Sequence, residues 1–119
     1  MKPAGIYSHI PFCRSRCSYC DFATGIYNAD AAERYVRSVV QEITSYRETS
    51  RQQTVDTIYF GGGTPSLLTP DQLRQLLHAV HQRFGVSADA EVTLEINPGS
   101  VKLQTLEEFR RLGINRASF

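Results

Sequence analysis

Three cysteines crowd into eight residues: Cys13, Cys17 and Cys20, in the spacing C-x3-C-x2-C. They are the only cysteines in the chain, and an odd set this tightly clustered cannot make a complete disulfide framework. The first residues, Met1-Lys2-Pro3-Ala4-Gly5, carry a charge but no apolar stretch of the kind a secretory signal needs. Clustered thiols in such a chain point to metal binding or redox chemistry. Three thiolates on so short a loop suit three irons of a [4Fe–4S] cluster, leaving the fourth iron open to a substrate or cofactor. A structural zinc site is the alternative; it needs a fourth ligand such as His9 or Asp21, and no separated second pair of ligands follows. Arg14 and Arg16 in the same loop read as solvated charges without a catalytic role.

Two further groups belong with the cysteines. Gly61-Gly62-Gly63-Thr64-Pro65 closes a strand-like stretch, and consecutive glycines let a backbone approach a ligand closely and offer unobstructed N–H groups. A plain tight turn is the other reading. It is not a nucleotide P-loop, because no Gly-Lys-Ser/Thr follows. Glu95 precedes Asn97-Pro98-Gly99 at the end of another strand, where a carboxylate suits an amine or ribose hydroxyls; an ordinary solvated strand-end residue is the alternative. Tyr7 and His9 share one face of the strand that leads into the cysteines.

These groups require strands ending at a common rim. Residues 5–10 read as a strand running into Pro11 and the cysteine loop. Residues 30–48 read as a helix, with Asp30 and Glu33 as a capping box and Tyr35, Val36, Val39, Val40 and Ile43 as its stripe. A strand over 55–60 follows. The next helix starts at Thr69, Pro70 and Gln72, shows Leu73, Leu76, Leu77, Val80 and Phe84 on one face, and stops at Gly85. Residues 91–96 alternate, with Val92, Leu94 and Ile96 facing one way and Glu91, Thr93 and Glu95 the other. A third helix over 105–112 has Thr105 and Glu108 as its box and Gly113 as its stop, and residues 114–119 begin another strand.

The order β-α-β-α-β-α-β makes this an α/β chain with parallel strands and crossover helices. A two-faced strand at 91–96 suits a barrel, with the apolar side toward the helices and the polar side toward the lumen. In a (β/α)8 barrel, active sites lie on the loops after the strands, which is where the cysteines, the glycines and Glu95 all fall. Three βα units and a bare strand make about half of such a barrel. The 119 residues therefore read as the N-terminal part of one barrel domain, continued beyond Phe119.

Composition narrows the partners. Thirteen Lys and Arg against twelve Asp and Glu leave a net charge of +1, without the broad positive field of a non-specific nucleic-acid binder. The 41% hydrophobic content argues for a packed domain rather than disorder. No apolar run approaches the roughly 18 residues of an integral membrane segment, and the expected location is the cytoplasm.

Taken together, Tyr7-Ser8-His9-Ile10-Pro11-Phe12-Cys13-x3-Cys17-x-Tyr19-Cys20, then Gly61-Gly62-Gly63-Thr64-Pro65-Ser66, then Glu95-Ile96-Asn97-Pro98-Gly99 resemble the radical S-adenosylmethionine (SAM) superfamily. The branch resembled contains oxygen-independent coproporphyrinogen III oxidase and the HemW-type heme chaperones, and the resemblance runs to Gly113-Ile114-Asn115-Arg116. It implies that Cys13, Cys17 and Cys20 ligate a [4Fe–4S] cluster and that SAM completes the open iron. Tyr7, Gly62 and Glu95 match positions that contact this SAM; Tyr19, Gly63 and Thr64 match positions that contact a second SAM in the oxidase. It further implies reductive cleavage of SAM to methionine and a 5′-deoxyadenosyl radical, with electrons from a donor such as a flavodoxin.

One departure divides the branch. The oxidase pattern has a fourth cysteine two residues after the third, and here that place is Phe22, in Cys20-Asp21-Phe22. The sequence Cys-Asp-Phe resembles the heme chaperones, which implies heme as a further ligand of the full-length protein. A coproporphyrinogen III oxidase acting on a porphyrinogen, a heme carrier with vestigial SAM chemistry, and a small zinc-stabilised domain remain the alternatives.

Overall fold

In a computed structural model, residues 4–13, 25–26, 28–46, 54–97 and 101–119 are described. The chain runs β1 (Ala4–Ile10), β2 (Phe12–Cys13), β3 (Gly25–Ile26), α1 (Ala29–Ser45), β4 (Thr54–Gly62), a 3-10 turn (Pro65–Leu67), α2 (Pro70–Arg83), β5 (Gly85–Glu95), α3 (Leu103–Leu112) and β6 (Arg116–Ser118). Four strands form one parallel sheet in the order β1-β4-β5-β6. The expected alternation of strands and crossover helices is thus present.

One face of the sheet carries the core. Ile10, Ile58, Phe60, Val92, Leu94 and Ile96 are buried against Ala32 and Val36 of α1, Leu73, Leu76 and Val80 of α2, and Phe109 of α3. The opposite face carries Tyr7, His9, Tyr59, Gly61, Thr93 and Glu95, by the period-two alternation of the same strands. Thr93 on that side is nevertheless fully buried, so only the ends of the polar stripe in β5 are wet.

Several boundaries differ from expectation for identifiable reasons. α1 is capped by Asn28, whose side chain accepts from the Ala31 amide at 3.1 Å, so Asp30 lies in the first turn and its box with Glu33 does not form. Glu33 instead receives the side-chain amide of buried Gln72 at 3.3 Å, tying α1 to α2. α2 has the expected reciprocal box: Thr69 Oγ1 accepts from the Gln72 amide at 3.1 Å, and Gln72 Oε1 accepts from the Thr69 amide at 3.0 Å.

Gly85 does not terminate α2 by a left-handed turn; Phe84 caps the helix and Gly85 opens β5. β5 starts well before Glu91 because β4 recruits Gly85 and Val86 opposite Thr54 and Val55. The register then slips, and Thr57 pairs with Glu91, which restores the face alternation. α3 begins after Lys102 without a side-chain cap, so Thr105 and Glu108 form no box, while Gly113 ends the helix at φ +120° as expected. The two-residue parallel ladder Phe12–Gly25 and Cys13–Ile26 was not foreseen. Among the described residues, no helix is long and apolar enough to cross a membrane.

The junction into β6 is held by a side chain acting as backbone. Asn115 Oδ1 accepts from the Val92 amide at 2.8 Å, its Nδ2 donates to the Ala90 carbonyl at 2.9 Å, and its own amide donates to the Val92 carbonyl at 3.0 Å. Replacing Asn115 by Ala leaves a peptide N–H and a carbonyl of a buried strand unpaired, which costs about 1–3 kcal/mol. Asn115→Asp puts an acceptor against the Ala90 carbonyl and is expected to cost at least as much. Urea unfolding of both variants checks this, with an unchanged midpoint as the contrary result.

Candidate cofactor site at the strand ends

The carboxyl ends of β1, β4 and β5 meet at one rim, and the residues gathered there come from distant parts of the chain. Glu95 ends β5 half-buried, with both oxygens engaged. Its Oε1 accepts from the Gly62 amide at 2.9 Å and its Oε2 accepts from the Tyr59 hydroxyl at 2.7 Å. Such a carboxylate is not an ordinary solvated strand-end residue. The Tyr59 ring stacks on Tyr7 across the β1–β4 pair, with centroids 5.6 Å apart and planes 13° from parallel. Tyr7 remains 60% exposed.

The glycines make this crowding feasible. A Cβ on Gly61 would lie 2.7 Å from the Tyr7 hydroxyl oxygen, 2.8 Å from the Tyr59 ring and 3.0 Å from Glu95 Oε1, so three functional side chains converge on the space a methyl would fill. Gly62 adopts φ +115°, a region that favours glycine, with the His9 ring and the Ile10 carbonyl closing its open side. The amides of Gly62 and Gly63 are not free, since they donate to Glu95 and to the Ile10 carbonyl at 2.8 Å. The expectation that the run offers unobstructed N–H groups is corrected for these two: the glycines supply room and backbone shape.

Two buried polar atoms lack partners among the described residues: His9 Nε2, and Ser66 Oγ in the 3-10 turn after the glycines. The His9 carbonyl is engaged, accepting from the Tyr35 hydroxyl of α1. β2, which ends at Cys13, lies against the same turn as Ser66. Beside it, Gly63, Thr64, Glu95, Ile96, Asn97 and Phe119 line an open cavity of about 240 Å³.

Of the residues singled out by sequence, Tyr7, Gly62 and Glu95 are therefore brought together, and Gly63 and Thr64 sit one step along the same rim. Cys13 is placed only by its backbone in β2. Cys17, Tyr19, Cys20 and Phe22 lie outside the described residues. Tyr59 was missed. Its place two residues before Gly61 puts it on the lumen-side face of β4, the one available signal.

Residues 7–119 match the family model of the Radical SAM superfamily. The chain belongs to the radical SAM superfamily. Within it, the relatives fall in the branch anticipated from the motifs. A protein described as heme chaperone HemW from Synechocystis is 40% identical over 99% of this chain, and one from Escherichia coli is 36% identical over 99%. An oxygen-independent coproporphyrinogen III oxidase from Bradyrhizobium diazoefficiens is 39% identical over 97%. The solved structure of coproporphyrinogen III oxidase (HemN) from Escherichia coli superposes with a TM-score of 0.84 at 30% identity, covering 97% of this chain. The chain spans 26–32% of the length of these relatives. Radical SAM proteins generally use a [4Fe–4S] cluster and SAM.

Partial burial raises the Tyr7 phenol above its ordinary value, and the negative charge of Glu95 and then Tyr59 add to the shift. A phenol raised in the fold favours the native state fully below its unfolded value and loses that contribution as the pH climbs through the folded one. In an alkaline difference-absorbance titration, Glu95→Gln is expected to lower the Tyr7 ionisation without abolishing the shift, because burial is the larger cause. An unchanged titration would show that the Glu95 charge does not reach the phenol.

Space at Gly61 is separately testable. Gly61→Ala is expected to cost about 1–3 kcal/mol in urea unfolding, as overpacking does. Gly85→Ala, where a Cβ meets nothing within 4 Å, serves as the tolerated control. Equal effects at the two positions would contradict the crowding argument.

Proposed function

We propose that this chain is the N-terminal part of a radical SAM core domain that holds a [4Fe–4S] cluster on Cys13, Cys17 and Cys20, and binds SAM beside it at Tyr7, Gly62 and Glu95. The observation that carries this reading is the convergence of Tyr7 and Glu95 over Gly61, with the Gly62 amide on Glu95, on the strand that runs on into the cysteine segment and the strands beside it. The donor set fits such a group: a carboxylate and an exposed phenol at a crowded glycine, two buried polar atoms without partners among the described residues, and thiols on the adjoining segment. When bound, the cluster and SAM supply one-electron reductive chemistry that side chains cannot.

The chain's own residues contribute binding and orientation. Glu95 presents its remaining lone pairs to a donor such as an ammonium or a ribose hydroxyl. Tyr7, exposed over much of its surface, brings its hydroxyl over Gly61 next to Glu95. The Tyr35 hydroxyl fixes the His9 carbonyl just before the cysteine segment. Tyr19, Gly63 and Thr64 are the positions proposed for a second SAM.

The whole protein is proposed to be a cytoplasmic heme chaperone of the HemW type, with heme bound outside these 119 residues and an electron donor such as a flavodoxin. Support comes from the relatives of that name and from Phe22 in the place of the oxidase's fourth cysteine. The oxidase reading is kept alive by the Bradyrhizobium relative.

The test is anaerobic reconstitution of the full-length protein. About four irons and four sulfides per chain are expected, lost when any one of Cys13, Cys17 or Cys20 becomes Ala. About one zinc and no sulfide would overturn the cluster. Heme binding without coproporphyrinogen turnover is the outcome expected of the chaperone; robust turnover with Phe22 in place would promote the oxidase.

A further inference from the structure

Tyr59 lies in no motif that pointed to the site, yet its hydroxyl is committed to it. It donates to Glu95 Oε2 at 2.7 Å from the neighbouring strand, while the Gly62 amide holds Oε1 at 2.9 Å. The two donors grip opposite oxygens of one carboxylate and so fix its plane. Neither exhausts it, because each oxygen retains a further lone pair. The Tyr59 ring is itself immobilised, stacked on Tyr7 at 5.6 Å and touching the space above Gly61. We propose that Tyr59 is a positioning residue: it orients Glu95 toward the donor group of SAM and touches the ligand only through that carboxylate. This rests on the SAM site proposed above.

The geometry distinguishes this role from simple packing. Tyr59→Phe keeps the ring, its stack on Tyr7 and its contact over Gly61, and removes only the hydroxyl. Glu95 is then held by one donor and is free to rotate about it. A ligand that needs the carboxylate in one orientation loses affinity, whereas a ligand indifferent to it does not.

The experiment is a double-mutant cycle for SAM affinity in full-length, cluster-loaded protein, by anaerobic equilibrium dialysis, with Tyr59→Phe, Glu95→Gln and the pair together. Tyr59→Phe is expected to weaken SAM binding about three- to tenfold, the worth of one hydrogen bond. The double variant is expected to bind no worse than Glu95→Gln alone within about twofold, because Tyr59 acts through Glu95. Additive losses, or an unchanged affinity in Tyr59→Phe, would overturn the proposal.

A second measurement needs no cofactor. The Gly62 amide is protected by Glu95, and the adjacent Gly63 amide by the Ile10 carbonyl. In hydrogen exchange, Tyr59→Phe is expected to speed Gly62 about three- to tenfold while leaving Gly63 unchanged. Equal acceleration of both would mean general loosening and would reject a positioning role, as would no change at Gly62. Failure of the wild type to bind SAM would instead sink the proposed function, and the exchange measurement would still decide what Tyr59 does to Glu95.

Discussion

The rim of this sheet is organised by one carboxylate. Glu95 closes β5, yet its two oxygens are held by β4, one through the Gly62 amide and the other through the Tyr59 hydroxyl. Charge-assisted hydrogen bonds of this kind are shorter and stronger than neutral ones. Here they lock the ends of two parallel strands whose ladder stops short, at Phe60 opposite Leu94. The left-handed backbone at Gly62 aims its amide, and the absence of a side chain at Gly61 lets Tyr7 and Tyr59 crowd in beside the carboxylate. Removing the carboxylate would leave a backbone N–H and a phenol without an acceptor where three strands converge.

That rim depends on a division of labour between the sheet's faces. The core lies on one side, where α1, α2 and α3 cover Ile58, Phe60, Val92 and Leu94. Alternation then delivers every second residue to the other side, where Tyr7, Tyr59 and Glu95 meet. The register slip in β5 matters for this reason. It absorbs the extra residues between Val86 and Glu91 before the functional end begins, so that Leu94 still faces the helices and Glu95 still faces Tyr59. Asn115 performs a related task on the far side of β5, setting β6 against Val92 by imitating a strand before the strand starts.

Much of this was legible in the residues. Periodicity and caps gave α2 almost to the residue, because Thr69, Pro70 and Gln72 form a local, self-contained box. The strict alternation of 91–96 announced a two-faced strand, and strand ends put the glycines and Glu95 at one rim, whereas the grouping of Tyr7 with them was what the family resemblance implied. What escaped was non-local. Gly85 and Val86 are strand because β4 lies beside them. Nothing local in Val55–Phe60 says that the Tyr59 hydroxyl finds a partner 36 residues away.

The short ladder between β2 and β3 has a consequence for how the metal would be taken up. It pairs Cys13 with Ile26, so the segment carrying Cys17 and Cys20 starts and ends at the same place. Backbone pairing of Cys13 with Ile26 itself meets the entropic cost of bringing the two ends of that segment together, a cost that rises only slowly with length. Among the described residues, the hydrophobic core lies between the helices and the sheet, with Ile58, Phe60, Leu73 and Leu94 at its centre. A metal held on the segment between these strands would be added to a sheet and helices that pack without it, unlike the small zinc domains whose folding and metal binding are a single event.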